Sequence, residues 1–269
     1  MVSRNKGDNE PNLSLGFAES QDTYQSLSQT ARVLTEGWVE QQAFCARCGN
    51  NRLTRFANNL PVADFYCASC NEQFELKSTK GTFRAKVVDG AYTTKIARLS
   101  SNSNPNLLLL RHKLSAVTDL IVIPKHFFVP NIIQKRRPLS NNARRAGWVG
   151  SNIIIAAIPE SGKIYIVRSG QAQPRELVRQ QWERTAFLAE EAIAARGWLL
   201  EVMHTIEALG KAEFEIDEVY ADEQRLQHAY PENRHVREKI RQQLQVLRDR
   251  GYLEFVSRGS YRVRQQASQ

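Results

Sequence analysis

Cys45-Ala46-Arg47-Cys48 is followed, eighteen residues on, by Cys67-Ala68-Ser69-Cys70. Threaded through the same stretch are Pro61-Val62-Ala63-Asp64 and, after ten intervening residues, Glu75-Leu76-Lys77. The chain has four cysteines, and all of them lie here. Two short Cys-x-x-Cys knuckles at this separation have the spacing of a tetrahedral zinc site. Four thiolates fill the coordination sphere and leave no position for a reactive water, so the expected zinc is a staple. Its expected role is to fix the strands that carry Asp64 and Glu75.

The interleaved acids carry different chemistry. In an extended run Asp64 and Tyr66 share one side with Val62, and Ala63 and Phe65 the other. Downstream, Phe74 and Leu76 face one way, and Glu75 and Lys77 the other. Two carboxylates at such positions can hold a hard divalent cation, expected to be Mg2+, through oxygen ligands. The cation polarises a phosphodiester and lowers the pKa of a bound water. Lys77 can orient that water and offset developing charge. A surface hairpin with ordinary charges is the competing reading of Glu-x-Lys alone. The position of Asp64 between hydrophobic residues, just ahead of the second knuckle, favours the metal site.

Composition agrees with a polyanionic partner. The 269 residues are 42% hydrophobic, enough for a packed core, and carry a formal charge of +9. The pI is about 9.5, which points to nucleic acid or an anionic surface. No apolar run reaches membrane-spanning length. Residues 1–19 lack a secretory pattern, so a cytoplasmic protein is expected. In a reducing compartment paired Cys-x-x-Cys motifs are metal ligands rather than disulfides.

Residues 1–12 read as a disordered tail. A helix is expected over 28–38, with Ala31, Leu34, Trp38 and Val39 on one face and Glu36 elsewhere, as a possible accessory acid. Further on, a helix is expected over 91–99 and strands over 107–111, 120–123, 153–155 and 163–167. A helical pattern covers 174–195. Strands interrupted by helices indicate an α/β core. Lys135 to Gly150 is an irregular basic stretch holding Arg144, Arg145 and Trp148. The arginines suit phosphate contact and the Trp base stacking. The competing reading, which the pattern favours for Trp148, is a solvated loop whose Trp packs on its own core.

Near Arg196 the composition changes. Residues 204–233 contain eight acids and two bases, and residues 234–264 nine bases and three acids. Helices over 198–209 and 216–228, a third capped by Asn233, and a hairpin with Ser257-Arg258-Gly259 at its tip make a winged helix. Val236, Ile240, Leu244 and Leu247 form the apolar stripe of the third helix. Arg234, His235, Glu238, Arg241, Gln242 and Gln245 lie opposite, and Arg and Gln are the side chains that read guanine and adenine edges. Arg258 adds a basic wing tip. The expected boundaries are therefore 1–195 and 196–269.

The chain resembles the DpnI-like methyl-directed restriction endonucleases. The similarity lies in residues 29–36, 45–51, 61–77, 89–92, 143–150 and 238–249, spread over almost the whole chain after the tail. The resemblance implies a PD-(D/E)XK restriction-endonuclease-like core with an inserted four-cysteine zinc site, followed by a small winged-helix domain. It implies Asp64, Glu75 and Lys77 as catalytic residues, with Asp64 and Glu75 on magnesium and Cys45, Cys48, Cys67 and Cys70 on zinc. The implied substrate is double-stranded DNA methylated at adenine N6 in GATC, cut as by a Type II enzyme. A monomer without an obligate protein partner is expected. The proline stands three residues before Asp64, a departure from the general motif that removes no reacting group. The alternatives are a zinc-stapled winged-helix regulator without catalysis and a basic membrane-surface protein. The first has no need of the Asp64, Glu75, Lys77 set, and the second lacks a basic helix with an aromatic-rich face.

Overall fold

The computed structural model describes residues 11–15, 27–57, 63–101, 103–113 and 115–264. Most of the expected tail, together with Pro61 and Val62, lies outside these residues. Two compact units are formed, each from separated pieces of chain: residues 1–83, 105–123 and 164–179 in the first, and 84–104, 124–163 and 180–269 in the second. No helix among the described residues is long and apolar enough to cross a membrane.

The first unit is built on a seven-stranded sheet. Its strands are β1 (Thr54–Arg55), β2 (Phe65–Tyr66), β3 (Gln73–Thr79), β5 (Asn106–Lys113), β6 (Ala116–Ile123), β9 (Ile164–Arg168) and β10 (Gln171–Ala172), in that spatial order. Only β3 and β5 pair in parallel. Leu107, Leu108, Leu109 and Leu110 are each at most 1% exposed. Burial of consecutive residues means that both faces of β5 are covered. Each such leucine contributes roughly 1.5–3 kcal/mol of transfer free energy. Phe65 and Phe74 pair across β2 and β3 and are both buried. Their inward packing turns the alternate residues Glu75 and Lys77 to the opposite face.

Helix α1 (Leu27–Gln42) runs longer than expected and packs on this unit. Trp38 and Val39 are buried as the pattern required, but Thr35 and Glu36 are buried as well. The Thr35 hydroxyl lies 3.3 Å from Ser78 Oγ of β3, which ties the helix to the strand. Trp38 Nε1 donates to the Asn12 carbonyl at 2.6 Å, and Asn12 N donates to Gln42 Oε1. Asn12 is thus held on α1 and is not tail. A buried indole N–H takes the nearest acceptor, here a backbone one.

The second unit holds a three-stranded sheet, β4 (Lys86–Ala91), β8 (Gly150–Ile154) and β7 (Ile133–Lys135), with α2 (Tyr92–Ser100). Ile155, expected in a strand, begins a 3-10 turn. The helical stretch from 174 is broken. Helix α3 (Arg175–Thr185) gives way to a 3-10 segment at Ala186–Glu190, and α4 (Ile193–Ala208) follows. The expected boundary at 195/196 therefore falls in the first turn of α4.

Beyond α4 come β11 (Glu213–Glu215), α5 (Ile216–Tyr220), α6 (Glu223–Ala229), α7 (Val236–Asp249), β12 (Leu253–Ser257) and β13 (Ser260–Val263). The strands form a small sheet in the order β11-β13-β12. The single helix expected over 216–228 is two helices. At the break, the Asp222 carboxylate accepts the Thr205 hydroxyl of α4 and Arg225 Nε of α6, both at 2.7 Å, and so bridges the two helices. Asn233 does not cap α7. Its Oδ1 accepts His235 N at 2.8 Å in a turn ahead of the helix, and His235 occupies the cap position. At the other end Gly251 adopts φ 74° and Tyr252 N donates to Leu247 O at 2.8 Å, a Schellman close that only glycine fits without strain.

Candidate active site and nucleic-acid interface

The four cysteine sulfurs all lie within 4.8 Å of one another. Cys45 and Cys70 are 3.6 Å apart, and Cys48 and Cys67 3.5 Å. Tetrahedral zinc with bonds of about 2.3 Å needs sulfurs about 3.8 Å apart, so the donor set fits that ion. The two knuckles share one backbone form. Gly49 N returns to Cys45 O and Asn71 N to Cys67 O, each at 2.8 Å, with Gly49 at φ 77° and Asn71 at φ 59°. Glycine and asparagine are the residues that enter this left-handed region most easily. Burial pushes the Cys45 thiol up, and the Cys70 thiol up to about 11. Cys67 is also raised by burial, but the backbone N–H groups of Cys70 and Ser69 bring it down to about 7.

Behind the knuckles is a support that the sequence pattern did not reveal. Arg47 of the first knuckle pairs with buried Glu72 after the second at 2.8 Å, and Asn106 Nδ2 donates to Glu72 Oε2 at 2.8 Å and to Gln73 O at 2.8 Å. The two knuckles and β5 are joined through one carboxylate.

Asp64 lies just before β2. Its N–H donates to Phe74 O at 2.9 Å and its Oδ2 accepts Leu76 N–H at 2.7 Å. Main chain and side chain thus grip the two neighbours of Glu75. Lys77 Nζ is 2.6 Å from Glu75 Oε1, as expected for residues sharing a strand face. Asp64, Glu75 and Lys77 are all half-buried. The fold sets Asp64 against the main chain on either side of Glu75 and Lys77 against Glu75 itself, and the carboxylate oxygens of Asp64 and Glu75 are hard donors of the kind a magnesium-sized ion takes.

Glu36 differs from expectation in both burial and company. It is 4% exposed. Arg32 Nε reaches its Oε1 at 2.6 Å, and Arg55 Nη2 bonds its Oε2. Arg55 lies on β1 opposite Phe65, the residue after Asp64. Hydrogen bonding to Glu36 and attraction to it raise the Arg32 pKa, with a smaller contribution from Asp64. Sequence reading missed both arginines, because nothing local in Arg32 or Arg55 announces a shared carboxylate.

In the second unit the basic stretch connects β7 to β8 as a braced loop. Leu139 N donates to Trp148 O at 2.9 Å, Gly147 N to Leu139 O at 3.1 Å and Trp148 N to Arg145 O at 3.1 Å. Arg144 and Arg145 are exposed and Trp148 is half-buried. The Arg145 guanidinium sits 4.8 Å from the Trp148 ring centroid. The ring edge lies against Gly150, where a Cβ would stand 2.8 Å from two ring carbons.

On α7, Arg241, Gln242 and Gln245 are exposed, as are Arg234 and His235 ahead of it, while Val236, Ile240, Leu244 and Leu247 are buried. Gln243 joins the buried side, which the stripe did not include. Arg241 lies over the Tyr220 ring at 5.5 Å and Arg237 over the same ring at 5.1 Å. Arg258 is exposed at the hairpin tip beside Gly259, φ 87°.

A mixed α/β body with a cysteine cluster and a C-terminal helix-turn-helix is the class of protein that these elements define. Residues 13–191 match the DpnI, or Dam-replacing, family and residues 194–263 match the Dam-replacing HTH domain, so the chain belongs to the Dam-replacing family of restriction endonucleases.

Proposed function

We propose that this protein is a Type II restriction endonuclease with a PD-(D/E)XK core. In this reading it hydrolyses double-stranded DNA at GATC sites carrying N6-methyladenine and depends on Mg2+. The observation that carries the reading is the grip of Asp64 on both neighbours of Glu75, with Lys77 on the same strand face. Asp64 and Glu75 would hold the divalent cation, which supplies Lewis acidity and a water of lowered pKa. Lys77 donates to that water and offsets charge on the phosphate as it develops. Zinc on Cys45, Cys48, Cys67 and Cys70 holds the strands beneath them. Arg144 and Arg145 engage phosphates and Trp148 meets the methyl groups. Arg234, His235, Arg241, Gln242, Gln245 and Arg258 serve the winged helix on DNA, and a single copy in the cytoplasm suffices.

The test is incubation of the full-length protein and Mg2+ with plasmid carrying or lacking adenine methylation. Cutting of methylated plasmid alone is expected. Equal cutting of both removes the methyl requirement. Binding of both without cutting returns the protein to the class of non-catalytic regulators.

A further inference from the structure

The charge around Glu36 asks for an explanation beyond packing. A single buried carboxylate is served by two guanidinium groups. Each oxygen has its own guanidinium, and a buried ion pair is weak evidence for stability. Arg32 leaves 68% of its side chain exposed and Arg55 31%, while the Glu36 side chain is 5% exposed. The carboxylate is therefore an anchor, with Arg32 largely exposed around it and Arg55 partly so. Both sit beside Asp64: Arg55 on the adjoining strand, next to Phe56, whose N–H donates to Asp64 O at 2.9 Å, and Arg32 within electrostatic reach of the Asp64 carboxylate.

We propose that Arg32 and Arg55 act on the scissile phosphate, and that Glu36 is the positioning residue that aims them. The proposal rests on the nuclease reading above. Its chemical basis is charge balance. Asp64, Glu75 and Glu36 are three anions, and Lys77, Arg32 and Arg55 three cations, so the cluster is formally neutral by itself. A divalent cation makes it doubly positive, the phosphodiester brings it to singly positive, and a phosphorane dianion brings it to neutral. Without the two arginines the same site would face that dianion with two excess negative charges. Guanidinium groups suit the task because their fixed donors match phosphate oxygens and they stay protonated. Because they gain most as charge builds, they favour the transition state over the bound substrate.

The test uses the full-length protein on a methylated GATC duplex. Single-turnover cleavage with Mg2+ is measured beside binding without divalent metal, with Asp64→Ala as the inactive control. Arg55→Ala and Arg32→Ala should each slow cleavage by about a hundredfold or more and weaken binding by less than about tenfold, the smaller share expected of a contact that strengthens in the transition state. Arg55→Lys should recover part of the rate, since it keeps charge but not the bidentate fork. A merely structural arginine behaves differently in the double variant Glu36→Gln with Arg55→Ala, where no buried charge is left without its partner. Restoration of near-normal cleavage in that double variant would overturn the proposal. Slow cleavage with an unchanged melting transition supports it. Wild-type protein that cuts while both alanine variants keep its rate refutes this inference alone. Wild-type protein that never cuts refutes the nuclease reading, and this inference with it.

Discussion

Gly150→Ala is the substitution that asks most of the loop between β7 and β8. Gly150 opens β8 without a left-handed φ, so alanine suits its backbone and only space is at issue. The added Cβ would stand 2.8 Å from Trp148 Cη2 and Cζ3 and 3.4 Å from Arg136 Cδ. Carbon pairs rest at about 3.5–4.0 Å, so the ring must retreat by roughly 0.7–1.2 Å by the same measure. Overpacking of this kind costs about 1–3 kcal/mol of stability. The functional effect follows from the methyl sensing proposed for the ring. On the proposed reading the ring would bury N6-methyl groups, each worth roughly 0.8 kcal/mol, and a palindromic site would present two, giving about 1.6 kcal/mol, or roughly fifteenfold in selectivity. We therefore expect Gly150→Ala to lower the ratio of cleavage on methylated over unmethylated duplex by up to roughly fifteenfold. Trp148→Ala should give the same loss without the overpacking. The assay is paired cleavage kinetics on matched duplexes, with a urea melt of each variant. A Gly150→Ala protein that melts early yet keeps the wild-type ratio would refute the assignment of methyl sensing to Trp148.

Asp64→Ala should abolish cleavage while leaving DNA affinity nearly intact, because the Asp64 carboxylate, which accepts Leu76 N–H, is proposed to hold the cation and not the duplex; gel cleavage and fluorescence anisotropy on the same duplex decide it. Purified protein should contain one zinc per chain by elemental analysis, and a strong chelator should unfold the first unit, since structural zinc contributes of order 10 kcal/mol in comparable sites; normal activity in zinc-free protein would refute this. His126 is held neutral: burial, then the nearby Arg196 and Lys125, push it down to about 3. The unfolded chain takes up a proton below about pH 6.5 and the folded chain does not until about 3, so this contribution is complete above the first value and is lost as pH falls, by roughly 1.4 kcal/mol per unit. Urea midpoints measured between pH 7 and 5 should fall less in His126→Gln, which keeps a donor for Thr185, than in the wild type.

Some of this molecule is written locally. The four cysteines announce their ligand set because zinc needs four soft donors, and two tight turns are the shortest way to supply them. Gly49 and Asn71 already mark where those turns go left-handed. The leucine run at 107–110 reads as a covered strand, the stripe of α7 reads as a packed helix, and Glu75 and Lys77 share a strand face because the period of a strand is two. Family membership, too, is carried by residues in sequence.

What the chain could not disclose is where distant partners compete with local preference. Asp222 has the chemistry of a helix cap, but Thr205 of α4 claims its carboxylate where one expected helix becomes two. Asn12 looks like tail until an indole N–H needs its carbonyl. Glu36 looks like a solvent-facing acid of α1 until β1 brings Arg55 against it. Glu72 joins both knuckles to β5 only because Asn106 arrives from the next strand of the sheet. In each case a polar group taken out of water must be matched by whatever the fold sets beside it. That neighbour comes from another part of the sequence, so only the tertiary structure decides it.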